Sequence, residues 1–196
     1  MQRSGRILLI VFLMLGLSAP ADAQSQADTV RVKIDTTMGD IVVDLDRARA
    51  PASVENFLKY MSAGHYDRTL IHRVVSGYVV QGGGYSKYLK RRGTRAPVVY
   101  EGDNGLKNLR GRIAMARGDH PDSADSQWFI NLQDNPDLDH KIFEGAPLYG
   151  YTVFGVVAEG MDIVDQIGGV STGPGGEFDA EVPLEQIIVN RIDIIE

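Results

Sequence analysis

An arginine set among apolar residues, in Leu70-Ile71-His72-Arg73-Val74-Val75, is the group in this sequence best suited to do chemistry. A guanidinium is permanently charged and presents its N–H donors in a rigid plane. On a strand with hydrophobic neighbours it must meet a partner or face a groove, because an unpaired charge there is costly. Taken alone, such an arginine is structural as often as functional. The usual routes to covalent or metal catalysis are closed. The chain has no cysteine, which removes disulfides, thiolate zinc sites, iron–sulfur clusters, cysteine nucleophiles and lipobox acylation. His65, His72, His120 and His140 show neither HExxH nor paired ligand spacing, so no metal site is expected. No G-x-S-x-G elbow is present. Gln81-Gly82-Gly83-Gly84 lacks the helix opening and the later acid that a dinucleotide cradle needs. Arg117-Gly118-Asp119 spells an adhesion tripeptide, but three residues are weak evidence.

The elements that must position Arg73 follow from periodicity. Val32 and Ile34 alternate with Arg31, Lys33 and Asp35, and after Thr36-Thr37-Met38-Gly39 the alternation resumes at Ile41, Val43 and Leu45, which predicts a hairpin. Pro51 opens a helix whose Val54, Phe57, Leu58 and Met61 form one apolar stripe, and Gly64 suits its C-terminal turn. Strands are expected at 70–75, 78–81, 98–100, 112–116, 127–131, 152–157 and 187–195, with a second helix at 161–167. Short strands, two separated helices and no βαβ rhythm indicate a closed antiparallel barrel or a sandwich. Three connections stand out. Residues 86–95 carry Lys87, Lys90, Arg91, Arg92 and Arg95, read as a solvated loop in preference to a phosphate site. Residues 135–150 lack periodicity and are long enough to suggest a function. Residues 171–183, rich in glycine and acid, read as a plain surface loop.

The 196 residues suffice for one domain, and a hydrophobic content of 43% with 23% charged residues is globular rather than disordered. A formal net charge of −6 argues against a nucleic-acid partner. Arg3 and Arg6, the apolar run Ile7–Leu17 and the exit Ala21-Asp22-Ala23 have the form of a secretory signal cleaved after Ala23. The run is shorter than the roughly 20 apolar residues of a spanning helix. The expectation is therefore a signal at 1–23, a polar leader at 24–29 and one domain at 30–196. The mature protein would be exported, to the periplasm or beyond, with no membrane segment and as a monomer.

The segment Ile71-His72-Arg73-Val74-Val75-Ser76-Gly77-Tyr78-Val79-Val80-Gln81-Gly82-Gly83 resembles the signature of the cyclophilins. So do Met115-Ala116-Arg117, Ser126-Gln127-Trp128-Phe129-Ile130, Leu138-Asp139-His140 and Tyr151-Thr152-Val153-Phe154-Gly155-Val156-Val157, in the same order along the chain, as does the helix over 50–63. The stretch from Asn104 to Met115 is most similar to the exported bacterial branch. The resemblance implies a mostly β fold, an eight-stranded antiparallel barrel capped by two helices, and peptidyl-prolyl cis–trans isomerase activity on proline-containing polypeptides without a cofactor. It implies that Arg73 is catalytic and that Gln81 positions the arginine or the substrate carbonyl. Tyr78, Val79, Phe129 and Leu138 would line the proline pocket. Ala116 and Arg117 would offer backbone hydrogen bonds, and Tyr151 takes the place where the family has an aromatic residue or histidine. His72 and Asp137 fall at the rim. Asp137 stands where the family has tryptophan or phenylalanine, which implies weak cyclosporin binding. The alternative is a cyclophilin-fold binding module with vestigial activity, its long loop serving a partner.

Overall fold

The computed structural model describes residues 28–195, so the expected signal at 1–23 and its expected cleavage site lie outside the described residues. The first alternating runs form β1 (Thr29–Thr36) and β2 (Gly39–Asp46), paired as a hairpin from Thr29↔Asp46 to Thr36↔Gly39. Helix α1 (Pro51–Ser62) follows. Ala50 at its start has no side-chain acceptor, and the Glu101 carboxylate takes that role, accepting from the N–H groups of Ala52 and Ser53 at 2.9 Å each. Gly64 ends the helix with φ +64°, a conformation that glycine adopts without penalty. The buried stripe rests on aromatics, with Phe57 5.0 Å from Tyr66 and 5.5 Å from Phe154.

The remaining barrel strands are β3 (Thr69–Val75), β4 (Val79–Ser86), β5 (Arg112–Met115), β6 (Trp128–Asn131), β9 (Val153–Glu159) and β12 (Ile188–Ile194). They close in the order β1-β12-β3-β4-β6-β5-β9-β2, with antiparallel pairing throughout. Helix α2 (Met161–Gly168) buries Val164 and Ile167. This is the mostly β, eight-stranded barrel with two helices that the resemblance implies. The core holds Ile34, Ile41, Leu45, Ile113, Trp128 and Ile130, all buried. Two short hairpins lie outside the ring: β7 (Lys141–Phe143) with β8 (Ala146–Leu148), and β10 (Thr172–Gly175) with β11 (Phe178–Pro183). Among the described residues no helix is long and apolar enough to cross a membrane.

Several expectations need correction. Residues 98–100 are not a strand; Val98 makes only an isolated bridge to Ala124. Residues 135–150 contain a short 3-10 turn, Pro136–Leu138, and the β7–β8 hairpin. Residues 171–183 are not a plain loop but the β10–β11 hairpin, whose sparse apolar residues hide its pairing from a periodicity reading. The basic loop is solvent-exposed, as expected, but two of its arginines also tie it down. Arg91 pairs with Asp125 at 3.1 Å, and Arg92 donates to the carbonyls of His65 and Asp67 at 2.8 Å. The glycine run also has a packing reason. Gly83 takes φ +86°, and a Cβ there would lie 2.7 Å from the Ser126 carbonyl and 2.8 Å from Trp128 Nε1.

One irregularity positions the site. Ile71 pairs with Gly82 and Arg73 with Gln81, so β3 carries one extra residue between them. Ile71 and Val74 both enter the core, which a strand of strict period two cannot arrange for residues three apart. The bulge places His72 and Arg73 consecutively outside it. His72 is not at a pocket rim. It is buried, with its ring 4.5 Å from Tyr85 and 5.8 Å from Phe178 of β11.

Burial lowers the His72 pKa from the ordinary 6.5 to about 4. The unfolded chain therefore binds a proton at this residue over a range where the folded chain does not, and stability falls as pH drops through that window. Urea unfolding of the purified protein should show stability declining from pH 6.5 to 4, by at most about 3 kcal/mol at ~1.4 kcal/mol per unit. His72→Phe should remove most of that decline, leaving the smaller share of His65, whose pKa burial also lowers. An unchanged slope in the variant would refute the assignment.

Candidate active site

Register builds the site. Arg73 on β3 pairs with Gln81 on β4, Gln81 with Phe129 on β6, Phe129 with Ala114 on β5, and Ala114 with Val153 on β9. One row across five strands therefore runs from a cation through an amide to an apolar floor, all on the face away from the core. Side chains alternate, so Val80, Ile130 and Ile113 point inward while Val79, Phe129 and Ala114 form a second small cluster outside. Tyr78, Ala116, Leu138 and Tyr151 pack around that cluster.

Together with Arg73, Gln81 and Arg117, all of these groups but Ala114 line a cavity of about 230 Å³. The sequence-derived residues Arg73, Tyr78, Val79, Gln81, Ala116, Arg117, Phe129, Leu138 and Tyr151 thus all meet in one place. Phe129 is nearly fully buried and meets the Tyr151 ring edge-on, with centroids 5.4 Å apart. Burial raises the pKa of Tyr78, so its hydroxyl stays neutral in ordinary conditions. Asp137 lies beside Leu138 with its side chain fully exposed, and it accepts from Lys141 Nζ at 3.2 Å.

Arg73 is held on two sides. Its Nε donates to Glu181 Oε2 at 2.7 Å, and its Nη1 donates to Gln81 Oε1 at 3.3 Å. Gln81 Nε2 in turn donates to Gln127 Oε1 at 3.0 Å, which orients the amide. Nη2 has no hydrogen-bond partner among the described residues, so one edge of a fixed guanidinium remains for a ligand. Such a donor can stabilise a lone pair or an oxygen at the pocket mouth without transferring a proton.

Arg117 serves differently. Its Nε donates to the Gly150 carbonyl at 2.8 Å, Nη2 donates to the Tyr149 carbonyl, and the guanidinium lies 5.0 Å from the Tyr151 ring centroid. It clamps the return leg of the β7–β8 segment. The Ala116 N–H donates to the Gln127 carbonyl at 2.9 Å, so that donor is already engaged within the sheet.

Sequence reasoning missed three parts of the site. Glu181 lies in the segment read as a plain loop. Gln127 stands inside the Ser126–Ile130 motif, where nothing in the sequence marks its contact with Gln81. Behind the pocket, buried Asn131 donates to Asn108 Oδ1 at 3.3 Å, while Asn135 Nδ2 reaches Asn131 Oδ1 at 2.8 Å and the Tyr78 carbonyl at 3.1 Å. Asn108 also donates to the Leu138 carbonyl at 3.0 Å, so three amides tie the walls together. Three asparagines spread over 28 positions leave no local sequence signal. No group of three or more His, Cys, Asp or Glu residues among those described is arranged to hold a metal ion.

Comparison with known proteins bears on this arrangement directly. Residues 30–194 match the model of the family described as cyclophilin type peptidyl-prolyl cis-trans isomerase/CLD. The chain is 44% identical over 193 residues to peptidyl-prolyl cis-trans isomerase A of Dickeya dadantii, covering 98% of this chain and 99% of that one. It is also 44% identical over 167 residues to peptidyl-prolyl cis-trans isomerase B of Escherichia coli, covering 84% and 99%. A crystal structure of a Cryptosporidium parvum cyclophilin type isomerase superposes with a TM-score of 0.65 at 25% identity, covering 86% of this chain and 98% of that one. A second structure of it, in the presence of the dipeptide Ala-Pro, gives 0.64 at 26%. With its barrel, its apolar pocket and relatives of this name along nearly its whole length, the chain belongs to the cyclophilin-type peptidyl-prolyl cis–trans isomerases and is an enzyme of that class.

Proposed function

We propose that this isomerase acts on X–Pro bonds of exported polypeptides as a folding catalyst, with Arg73 stabilising the twisted amide. The observation that carries the reading is the guanidinium itself, anchored by Glu181 and Gln81 at the edge of a pocket floored by Phe129. An X–Pro bond is held planar by resonance behind a barrier of about 18–20 kcal/mol. Uncatalysed exchange takes tens to hundreds of seconds. Rotation localises the nitrogen lone pair, which becomes a hydrogen-bond acceptor only near the transition state. A donor already in place there binds the twisted form more strongly than either planar form, and that difference is what accelerates rotation. Lowering the barrier by about 4 kcal/mol gives roughly a thousandfold.

The division of labour follows from the residues. Val79, Phe129 and Leu138 hold the pyrrolidine ring while the preceding carbonyl swings. Gln81 is fixed at both ends of its amide, by Arg73 and Gln127, and keeps the guanidinium plane in register with the ring. Glu181 neutralises the Arg73 charge from behind without competing for Nη2. No bond to substrate is made or broken, so the proposed rotation requires neither a nucleophile nor an acid–base pair. Export is inferred from the residues at 1–23. It is tested by fractionating cells and weighing the protein, which should start at Gln24 and leave with the exported fraction. An intact cytoplasmic chain would end that part of the reading.

Arg73→Ala should retain the fold and lose about 100- to 1000-fold in kcat/KM on a proline tetrapeptide, the effect of removing one transition-state donor (~2.7–4 kcal/mol). Arg73→Lys should recover little, since an ammonium cannot reproduce the planar fork. Glu181→Ala should cost roughly fivefold, about 1 kcal/mol for a half-exposed ion pair, mainly in kcat. Near-parental rates in Arg73→Ala would leave the chain as a binding module with an incidental activity.

Weak cyclosporin binding is expected from Asp137, an exposed carboxylate where the family presents an aromatic ring. Placing it under an apolar ligand would require stripping water from a charge. Asp137→Trp should tighten binding by one to two orders of magnitude, on the basis of ~1.5–3 kcal/mol for burying a large apolar side chain. Calorimetric titration of both forms decides this, and tight binding by the parent protein would count against it.

A further inference from the structure

The chain makes an excursion between two pocket walls, and nothing in the fold explains the composition of that excursion. Leu138 and Tyr151 both line the pocket, and the Tyr151 N–H donates to the Leu138 carbonyl at 2.8 Å, closing the base. Between them the β7–β8 hairpin projects with Ile142 66% exposed, Phe143 60% and Leu148 51%. Phe143 pairs with Ala146 and Lys141 with Leu148, while Ile142 pairs with Pro147 on the opposite face. Both faces of this ribbon are therefore apolar and open to water.

The hairpin is shaped rather than slack. Glu144 and Gly145 at its tip have φ of +50° and +80°, the signs of a tight two-residue hairpin turn that matches strand twist. Glutamate is an unusual residue for that conformation. Its foot is secured by the Arg117 clamp on the Tyr149 and Gly150 carbonyls, by the Gly150 N–H donating to Tyr100 Oη at 3.1 Å, and by Tyr149 edge-on to Tyr100 at 5.2 Å. A two-stranded ribbon is marginal on its own, and contiguous exposed apolar surface marks an interaction site.

We propose that the β7–β8 hairpin is an extension of the substrate site that binds apolar side chains of a non-native polypeptide a few residues from the proline held in the pocket. The proposal rests on the isomerase reading of that pocket and specifies the class of substrate. Continuity supports it, because the hairpin springs from two pocket-lining residues. Three strand residues reach about 10 Å at ~3.3 Å each, the span of about three residues of extended substrate. Charge supports it as well. Lys141 is paired with Asp137, which leaves Glu144 as the hairpin's other charged residue and an attraction that is apolar rather than ionic. A second copy of this chain is a poorer occupant, since a stable protein interface needs about 800 Å² per partner and an eight-residue ribbon offers far less.

The test compares the purified parent protein with the triple variant Ile142→Thr, Phe143→Thr and Leu148→Thr, which removes apolar surface while keeping strand propensity. The substrates are a proline tetrapeptide and ten-residue peptides with the same X–Pro bond. The longer peptides carry either leucine or serine two to four residues from the proline, on one side or the other. The parent should favour leucine over serine peptides by about 5- to 30-fold in kcat/KM, expressed in KM. The triple variant should lose that preference and keep its tetrapeptide rate within twofold. Phe143→Thr alone should lose part of it, which guards against misfolding of the triple variant. Absence of a preference in the parent, or its persistence in the triple variant, would overturn the proposal. So would loss of tetrapeptide turnover in both variants, because the hairpin would then serve the pocket's shape. Self-association of the parent that the triple variant abolishes, with peptide preference unchanged, would give the surface to a second copy instead. A parent inactive even on the tetrapeptide would refute the pocket reading itself, a distinct result.

Discussion

The extra residue in β3 is the constraint on which the site depends. A regular strand would send Ile71 and Arg73 to the same side of the sheet, and Ile71 belongs to the core. Arg73 would then be a buried charge without partners, a costly arrangement. With one residue inserted between the pairs Ile71↔Gly82 and Arg73↔Gln81, the core contact of Ile71 and the outward turn of Arg73 become compatible. Val74 then returns to the core, so the departure from alternation is local. The cost falls on His72, an imidazole that must be buried neutral, and aromatic neighbours from β4 and β11 accommodate it.

Once Arg73 faces outward, the rest of the outer layer can be understood as what holds it and what surrounds it. The β10–β11 hairpin covers His72 through Phe178 and supplies Glu181 to the guanidinium. Tyr85 Oη donates to Glu177 Oε1 at 2.6 Å, which fastens the same hairpin to β4. On the opposite side of the pocket Arg117 performs the converse task, a cation used to fix backbone carbonyls. Two arginines near one cavity thus have different functions, and their partners distinguish them. Arg73 keeps one edge free, whereas Arg117 is committed to Gly118, Asp119, Tyr149 and Gly150.

The role proposed for Arg73 requires a rigid site. Stabilising a twisted amide by hydrogen bonding is effective only if the donor does not have to reorganise during rotation. The buried amides of Asn108, Asn131 and Asn135, the Gln81–Gln127 contact and the register of five strands all act against such movement. The β7–β8 ribbon is tied at its foot and unsupported along its length, a contrast that suits a surface meeting varied chain segments.

Much of this was legible in the residues. Alternation at Val32, Ile34, Ile41, Val43 and Leu45 and the stripe from Val54 to Met61 are local signals, because strand and helix periods are written every two or every three to four residues. The order of the motifs around Arg73, Gln81, Phe129 and Tyr151 pointed to the family and to the residues that now line one cavity. By itself, then, the sequence determined the barrel, the first helix and the membership of the pocket. Tertiary structure alone decided what lies behind it: the burial of His72, the partner of Arg73 at Glu181, the inward use of Arg92 and Arg117, and the two outer hairpins. The physical reason is separation along the chain. Glu181 stands 108 residues from Arg73 in a segment of glycines and acids with no period to read, and only the closing of the barrel brings its carboxylate to the guanidinium.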